Sequence, residues 1–164
     1  MMEVFDDVAR NCERHLTSRG LPCEIRLLRG GISLRPKKDI DASDLAILSG
    51  LPIKELDLAN MKVVDLSLLS TLPLTSLNLR GTPVENLAPL SGLRLGNLDL
   101  GLTRVETLSG LEGAPLKRLV LRGTKVTDLN PVEEAPLHEL DLALTPMASL
   151  RNLRHMPLCS LDLF

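Results

Sequence analysis

Leucine recurs in a fixed pattern every 21 residues through most of this chain. Each unit begins with two leucines separated by one residue, a period of two that predicts a short strand with both leucines pointing to one side. A further pair three residues apart, such as Leu66 and Leu69, fits one turn of helix or 3-10 helix on the other side of the unit. The six strand pairs are Leu56 and Leu58, Leu77 and Leu79, Leu98 and Leu100, Leu119 and Leu121, Leu140 and Leu142, and Leu161 and Leu163. A fixed period in the twenties predicts a solenoid of stacked units.

The first 50 residues do not follow this period. Apolar residues at three- and four-residue steps from Phe5 to Leu16 predict one helix with an apolar face. Alternating apolar residues on both sides of Gly30-Gly31 then predict a hairpin. Because the first unit of a solenoid has an exposed apolar side, we expect these elements to cover it as a cap.

The boundary between cap and repeats is predicted near residue 45. Residues 32–34 fit an irregular strand before the first regular one, and residues 39–52 fit its helical return. We therefore divide the chain into a helix and hairpin cap, residues 1–44, and a repeat region, residues 45–164.

The complete unit reads Leu-x-Leu, then x-x-Thr-x-Val, then x-x-Leu-x-x-Leu. It resembles the leucine-rich repeat family in its short bacterial form, over about residues 45–164. The resemblance implies an α/β fold, in which a right-handed coil carries a parallel sheet on its concave side and short helical or 3-10 segments outside. It also implies protein binding through that sheet. In the family, an Asn side chain bonds the backbone of the neighbouring turn. Thr82, Thr103, Thr124 and Thr145 match that position and Met61 does not, so we expect a weaker ladder of such bonds, weakest at Met61.

A second period lies inside the first. The residue immediately before each of these threonines is, in successive units, Gly81, Leu102, Gly123 and Leu144. One interpretation is duplication of a two-repeat unit, and the other is drift among similar repeats.

Outward strand residues form three columns across the predicted sheet, because alternate residues of a strand point to opposite faces. The first column is Glu55, Ser76, Asn97, Arg118, Glu139 and Ser160. The central column is Asp57, Asn78, Asp99, Val120, Asp141 and Asp162. The third column is Ala59, Arg80, Gly101, Arg122, Ala143 and Phe164. Only Asp141 and Asp162 are neighbouring carboxylates, whose repulsion in water is on the order of 1 kcal/mol.

Two interpretations of this face compete. In one, it is a solvated surface whose charges compensate, with Arg118 beside Glu139 and Arg122 diagonal to Asp99 and Asp141. In the other, Gly101 leaves a notch between Arg80 and Arg122 that suits a carboxylate, and Leu102 and Leu144 are apolar anchors beside it. The second gives these partner-binding candidates: Asp57, Asn78, Arg80, Asn97, Asp99, Gly101, Leu102, Arg118, Val120, Arg122, Asp141 and Leu144.

Composition removes most other classes of function. The net charge is -2 and the only aromatic residues are Phe5 and Phe164, so a basic cluster between Arg26 and Lys38 lacks the stacking rings of single-stranded nucleic-acid sites. We expect neither nucleic-acid nor membrane binding, since no apolar run reaches the roughly 18 residues of a membrane span. Three scattered cysteines indicate free thiols in a reducing cytoplasm. Dispersed histidines and the lack of a nucleotide-binding motif predict no metal, no cofactor and no catalysis.

The sequence stops inside the sixth unit, at Leu161-Asp162-Leu163-Phe164. An open sheet edge there would expose unpaired backbone groups. Asp162 and Phe164 are therefore candidates for docking to another subunit, or the chain is part of a longer array. The sequence predicts a non-enzymatic scaffold that binds a protein or peptide on its concave sheet, with edge docking as a structural or regulatory module of a larger assembly as the alternative.

Overall fold

The structure is a computed structural model that describes the backbone of residues 2–164. It describes the side chains of these residues except 2–6, 8 and 42. The predicted contribution of Phe5 and Val8 to a helical face therefore lies outside the described side chains.

The N-terminal part consists of helix α1 (Met2–Ser18), a hairpin of strands β1 (Cys23–Leu28) and β2 (Gly31–Pro36), and helix α2 (Ala42–Ile47), which spans the predicted boundary between residues 44 and 45. The two strands pair antiparallel from Cys23 and Pro36 to Leu28 and Gly31, which confirms the predicted hairpin. On α1, Cys12 and Leu16 are buried, as the helical spacing predicts. Strand β2 also pairs parallel with the first repeat strand, so the hairpin joins the cap to the solenoid sheet.

Six strands continue that sheet in sequence order, and all pair parallel. They are β3 (Ile53–Asp57), β4 (Ser76–Asn78), β5 (Asn97–Asp99), β6 (Arg118–Val120), β7 (Glu139–Asp141) and β8 (Ser160–Asp162). The register advances by one repeat per strand, with Leu56 opposite Leu77 and Leu77 opposite Leu98. Short 3-10 helices follow on the outer side at Ser67–Thr71, Ala88–Leu90, Asn130–Val132 and Arg151–His155. The predicted leucine-rich repeat solenoid is confirmed.

The core is a column of aliphatic side chains between the sheet and the outer segments. The first four strand pairs, Leu56 to Leu121, and the outer Leu66, Leu69, Leu87 and Leu90 are all 2 % exposed or less. Burying one such leucine stabilises the fold by about 2 kcal/mol before entropy is counted. These positions therefore determine the architecture and leave the outward strand residues available for other roles.

The threonines act within one turn and form no ladder between turns. The hydroxyl of Thr82 donates to the carbonyl of Leu79 at 2.7 Å, and that of Thr103 donates to Leu100 at 2.7 Å. The expectation that Thr would bond the neighbouring turn, as Asn does in the family, was wrong. The Thr hydroxyl stands one bond from Cβ, and its nearest acceptor is the carbonyl three residues earlier.

Candidate functional site

The central column of the concave sheet is part of the backbone architecture. Oδ1 of each Asp or Asn in this column accepts a hydrogen bond from the amide two residues later, where the strand ends. The pairs are Asp57 with Ala59 at 3.0 Å, Asn78 with Arg80 at 3.0 Å, Asp99 with Gly101 at 2.8 Å, Asp141 with Ala143 at 2.9 Å and Asp162 with Phe164 at 3.1 Å. Val120 cannot accept, and its side chain is only 8 % exposed, so it presents little surface to a partner.

The carboxylates of this column differ in their charge partners. Arg35 pairs with Asp57 Oδ2 at 3.5 Å, and Arg122 pairs with Asp162 Oδ2 at 3.7 Å. Arg122 therefore reaches forward to the last strand, and the prediction that it balances Asp99 and Asp141 was wrong. Within the described side chains, Asp99 and Asp141 have no ion-pair partner.

The notch predicted at Gly101 is covered by the preceding repeat. Gly101 is buried, and a Cβ placed on it would lie 2.8 Å from Nη1 of Arg80. Arg80 thus folds over the glycine, and Arg122 turns away toward β8, where it also donates to the carbonyl of Phe164 at 3.3 Å. The two guanidinium groups therefore do not enclose an open binding site for a carboxylate.

One backbone position after each of five strands is left-handed. Its φ is 62° at Asn60, 69° at Gly81, 59° at Leu102, 68° at Gly123 and 58° at Leu144. Glycine and asparagine adopt this conformation readily, whereas a leucine is strained in it. The strain at Leu102 and Leu144 distinguishes the odd repeats from the even ones.

The alternation of large and small residues has a packing reason. A Cβ on Gly123 would lie 2.8 Å from Cδ2 of Leu102, and a Cβ on Gly81 would collide with Oδ1 of Asn60. A large left-handed residue therefore lies over the glycine of the next repeat, while Arg80 lies over the small residue of the repeat after its own. This interlock gives the alternation a packing reason that holds for either origin, duplication of a two-repeat unit or drift. It covers each glycine, yet Leu102 is 52 % and Leu144 is 69 % exposed, so these leucines do not fold over the core rim.

A shallow groove of about 720 Å³ lies on the concave side beside this column. Its floor includes the predicted Asn78, Asn97 and Asp99, and at its wall Arg118 pairs with Glu139 at 3.4 Å, as predicted. The full lining is Ser76, Leu77, Asn78, Asn97, Leu98, Asp99, Lys117, Arg118, His138 and Glu139.

Lys117 and His138 were not among the sequence candidates for this surface. Both residues precede their strands. The hydrogen bonding between neighbouring strands already begins at this point, because the amide of His138 donates to the carbonyl of Lys117 at 2.8 Å. Their common position in successive repeats was the available signal.

The last strand presents apolar side chains at its outer edge. Leu161 is 41 %, Leu163 is 37 % and Phe164 is 93 % exposed. Phe164 therefore leaves this edge uncovered.

The three cysteines are free thiols. Cys12 and Cys23 are buried free thiols and Cys159 is an exposed one. Among the described residues, no cluster of His, Cys, Asp and Glu could hold a metal, and no helix combines the length and apolarity needed to cross a bilayer.

The cationic side chains of the cap are partly neutralised within the molecule. Arg26 lies 3.4 Å from Glu24, and Lys38 lies 3.4 Å from Asp44. With Arg35 already paired to Asp57 in the sheet, three cations of the predicted basic cluster have acidic neighbours.

Comparison with known proteins is informative only at the level of structure. No protein-family model and no curated protein matches the sequence. An internalin, InlF, from Listeria monocytogenes matches with a TM-score of 0.68 and 22% identity over 73% of this chain. This chain spans 37% of the length of that internalin. Internalin C2 from the same organism matches with a TM-score of 0.50 and 21% identity, covering 82% of this chain and 80% of its own. Internalins are leucine-rich repeat proteins, and this chain has the leucine-rich repeat fold.

Proposed function

We propose that the protein is a non-catalytic scaffold that binds a protein or peptide on its concave sheet. One observation carries this proposal: the outward face displays polar groups around an open groove, and two exposed leucines follow the ends of strands in the same sheet, while the strand leucines from Leu56 to Leu142 are buried. A protein-binding patch combines apolar contacts with a polar, hydrogen-bonding surround.

The proposed mechanism is presentation of a preformed surface. Each outward residue stands on a hydrogen-bonded strand, so binding need not also order a loop. The solenoid fold supports the proposal because stacked repeats create extended concave surfaces of this kind. Such binding needs no cofactor. The free thiols support a reducing compartment, which we propose is the cytoplasm.

A bulky substitution in the groove tests the proposal. Asn97→Arg places a long side chain on the floor, and Ser70→Arg places the same side chain on the outer 3-10 helix as a control. The partner is first isolated by affinity capture from native lysate and then measured against purified variants. We expect Asn97→Arg to abolish its binding and Ser70→Arg to leave it intact. Equal binding by both folded variants would remove the concave groove as the site.

The exposed edge of β8 supports a second candidate function, docking to another subunit. Among the described residues β8 pairs with β7 alone, and a strand edge of this kind, with Phe164 exposed beside it, is a template for further pairing. Sedimentation velocity over a concentration series tests this: wild type should associate and Phe164→Ser should remain monomeric. Monomeric wild-type protein at the highest concentration would contradict self-association through this edge.

A further inference from the structure

Two repeats carry the same pair of side chains, one at the end of a concave strand and one three residues beyond it. Repeat three displays Asp99 and Leu102, and repeat five displays Asp141 and Leu144. In each pair the carboxylate forms no salt bridge among the described side chains, although the Arg80 guanidinium lies over Gly101 beside Asp99, and the leucine is exposed and left-handed. The intervening repeat offers Val120 and Gly123, which are small at the same positions.

These features are costly for stability alone. A left-handed leucine is strained, and backbone strain that persists is a reason to look for function. A carboxylate is also unnecessary for the amide bond, since Asn78 makes the same bond as Asp99 with a neutral side chain. The charge is therefore not needed for the amide bond, and a glycine would adopt the left-handed backbone without the strain of a leucine.

We infer that the two pairs are duplicate subsites for an amphipathic helix that carries a basic and an apolar side chain every seven residues. This rests on the proposed function and specifies its partner. Neighbouring strands lie about 4.8 Å apart, so two strands separate the subsites by about 9.6 Å. Seven residues of helix rise about 10.5 Å and return to nearly the same face. An extended strand spans a similar length in three residues. Its side chains alternate between faces, so residues three apart point to opposite sides and cannot both reach the subsites.

The width of a helix also fits each subsite. The carboxylate lies on the strand and the leucine lies three residues further along, beyond the strand end. Consecutive residues on a helix point about 100° apart, so an Arg followed by a Leu would reach both at one level of the solenoid. The Arg would form a charge-assisted hydrogen bond with the free Oδ2, and the Leu would cover the exposed leucine.

Synthetic peptides test the inference without an identified partner. The probe is a 21-residue peptide of Ala and Gln in which Arg-Leu recurs every seven residues. One control has the same composition with Arg-Leu recurring every five residues, which places successive pairs on different faces. A second control carries central prolines, which prevent the helix. We expect the probe to bind at micromolar affinity and both controls to bind at least about tenfold more weakly.

Two double variants identify the surface. Leu102→Gly with Leu144→Gly removes the apolar anchors and relieves strain, so lost binding cannot come from unfolding. Asp99→Asn with Asp141→Asn removes the charges and retains the amide acceptors. Each should weaken the probe by about tenfold or more, and raising the salt should weaken wild type but not the Asn variant. The matched controls Leu68→Ala and Asp128→Asn lie on the outer side and should change binding less than about twofold.

The outcomes separate this inference from the proposed function. If the native partner is lost with Asn97→Arg but the probe does not bind, or if the five-residue or proline peptide binds as well, the inference is wrong and the scaffold stands. If the partner binds regardless of Asn97→Arg, the proposed function itself is wrong. Probe binding that survives both double variants would place the peptide elsewhere and overturn the subsites.

Discussion

A left-handed conformation costs a leucine about 1 to 2 kcal/mol, and this chain contains two such residues at Leu102 and Leu144. Both side chains are more exposed than buried. Their contribution to the core is therefore small, and the strain is not offset by burial.

Replacing either leucine with glycine should raise the free energy of unfolding. We expect about 0.5 to 1 kcal/mol, the relieved strain less the backbone entropy of glycine. Leu144→Gly should gain more than Leu102→Gly, because Leu102 also lies against Gly123. Urea denaturation measures the effect, with Leu68→Gly as the control at a residue without positive φ. Destabilisation of all three variants by similar amounts would contradict this prediction.

Substitution at Asp99 separates two properties of its side chain, the acceptor oxygen for the amide of Gly101 and the negative charge. Asp99→Ala leaves the amide of Gly101 without its acceptor and should cost about 1 kcal/mol. Asp99→Asn should cost much less, because Asn78 makes the equivalent bond. Thermal or urea unfolding of the two variants checks the difference, and equal losses would show that charge matters to folding at this position.

At the scale of elements, the sequence was sufficient to predict the secondary structure wherever a repeated backbone pattern determines it. Period-two leucines located the strands, and the Gly30-Gly31 turn located the hairpin. It was insufficient where a long side chain has several reachable partners. Arg80 and Arg122 both have four rotatable bonds, and their forward direction depends on neighbours one strand away for Arg80 and two strands away for Arg122.

The candidate surface was partly predictable for the same reason. Asn97, Asp99 and Arg118 follow from strand alternation alone. The amide bonds of the central column were missed although Asp and Asn are known for such turns. The left-handed position also had a signal in Asn60, Gly81 and Gly123, which the two leucines obscured.

The cap hairpin contains a group that makes its stability depend on pH. Burial raises the pKa of the Cys23 thiol to about 11 in the folded protein, above its ordinary 9.0. The unfolded chain therefore loses this proton first, and stability present below pH 9 should decline as pH rises toward 11. A shift of two pKa units corresponds to at most about 3 kcal/mol.

Unfolding curves from pH 7 to 11 measure the decline, and Cys23→Ala provides the matched comparison. The alanine variant should be less stable at neutral pH, since it leaves a small cavity. The alanine variant should also lose less of its free energy of unfolding between pH 9 and 11 than the wild type does. Parallel pH curves for the two proteins would show that Cys23 is not the titrating group.

For the whole molecule, the interlock makes a pair of repeats the unit of stability. Stacked repeats gain stability from each neighbour interface. Inserting a second copy of residues 82–123 preserves the order of large and small residues. Inserting a second copy of residues 82–102 alone places a left-handed leucine opposite another leucine.

We expect the 42-residue insertion to raise the urea midpoint and the 21-residue insertion to give less than half of that gain. The reason is that the single repeat brings one interface in which Leu102 has no glycine beneath it. Circular dichroism under identical conditions checks both. Gains in simple proportion to inserted length would show that the repeats stack independently of parity.

In the interlock, the covering side chain always comes from the earlier repeat and the covered residue from the later one. Asn60, Leu102 and Arg80 each lie over a residue of higher number, and no overlap in this series runs back. Fraying of a later strand therefore leaves the covering side chains simply extended into water. Loss of an earlier strand removes the cover from glycine backbone that it had shielded. Water should consequently enter this solenoid asymmetrically, and the order in which the strand amides from Leu58 to Leu142 exchange with solvent would report the direction in which the array opens.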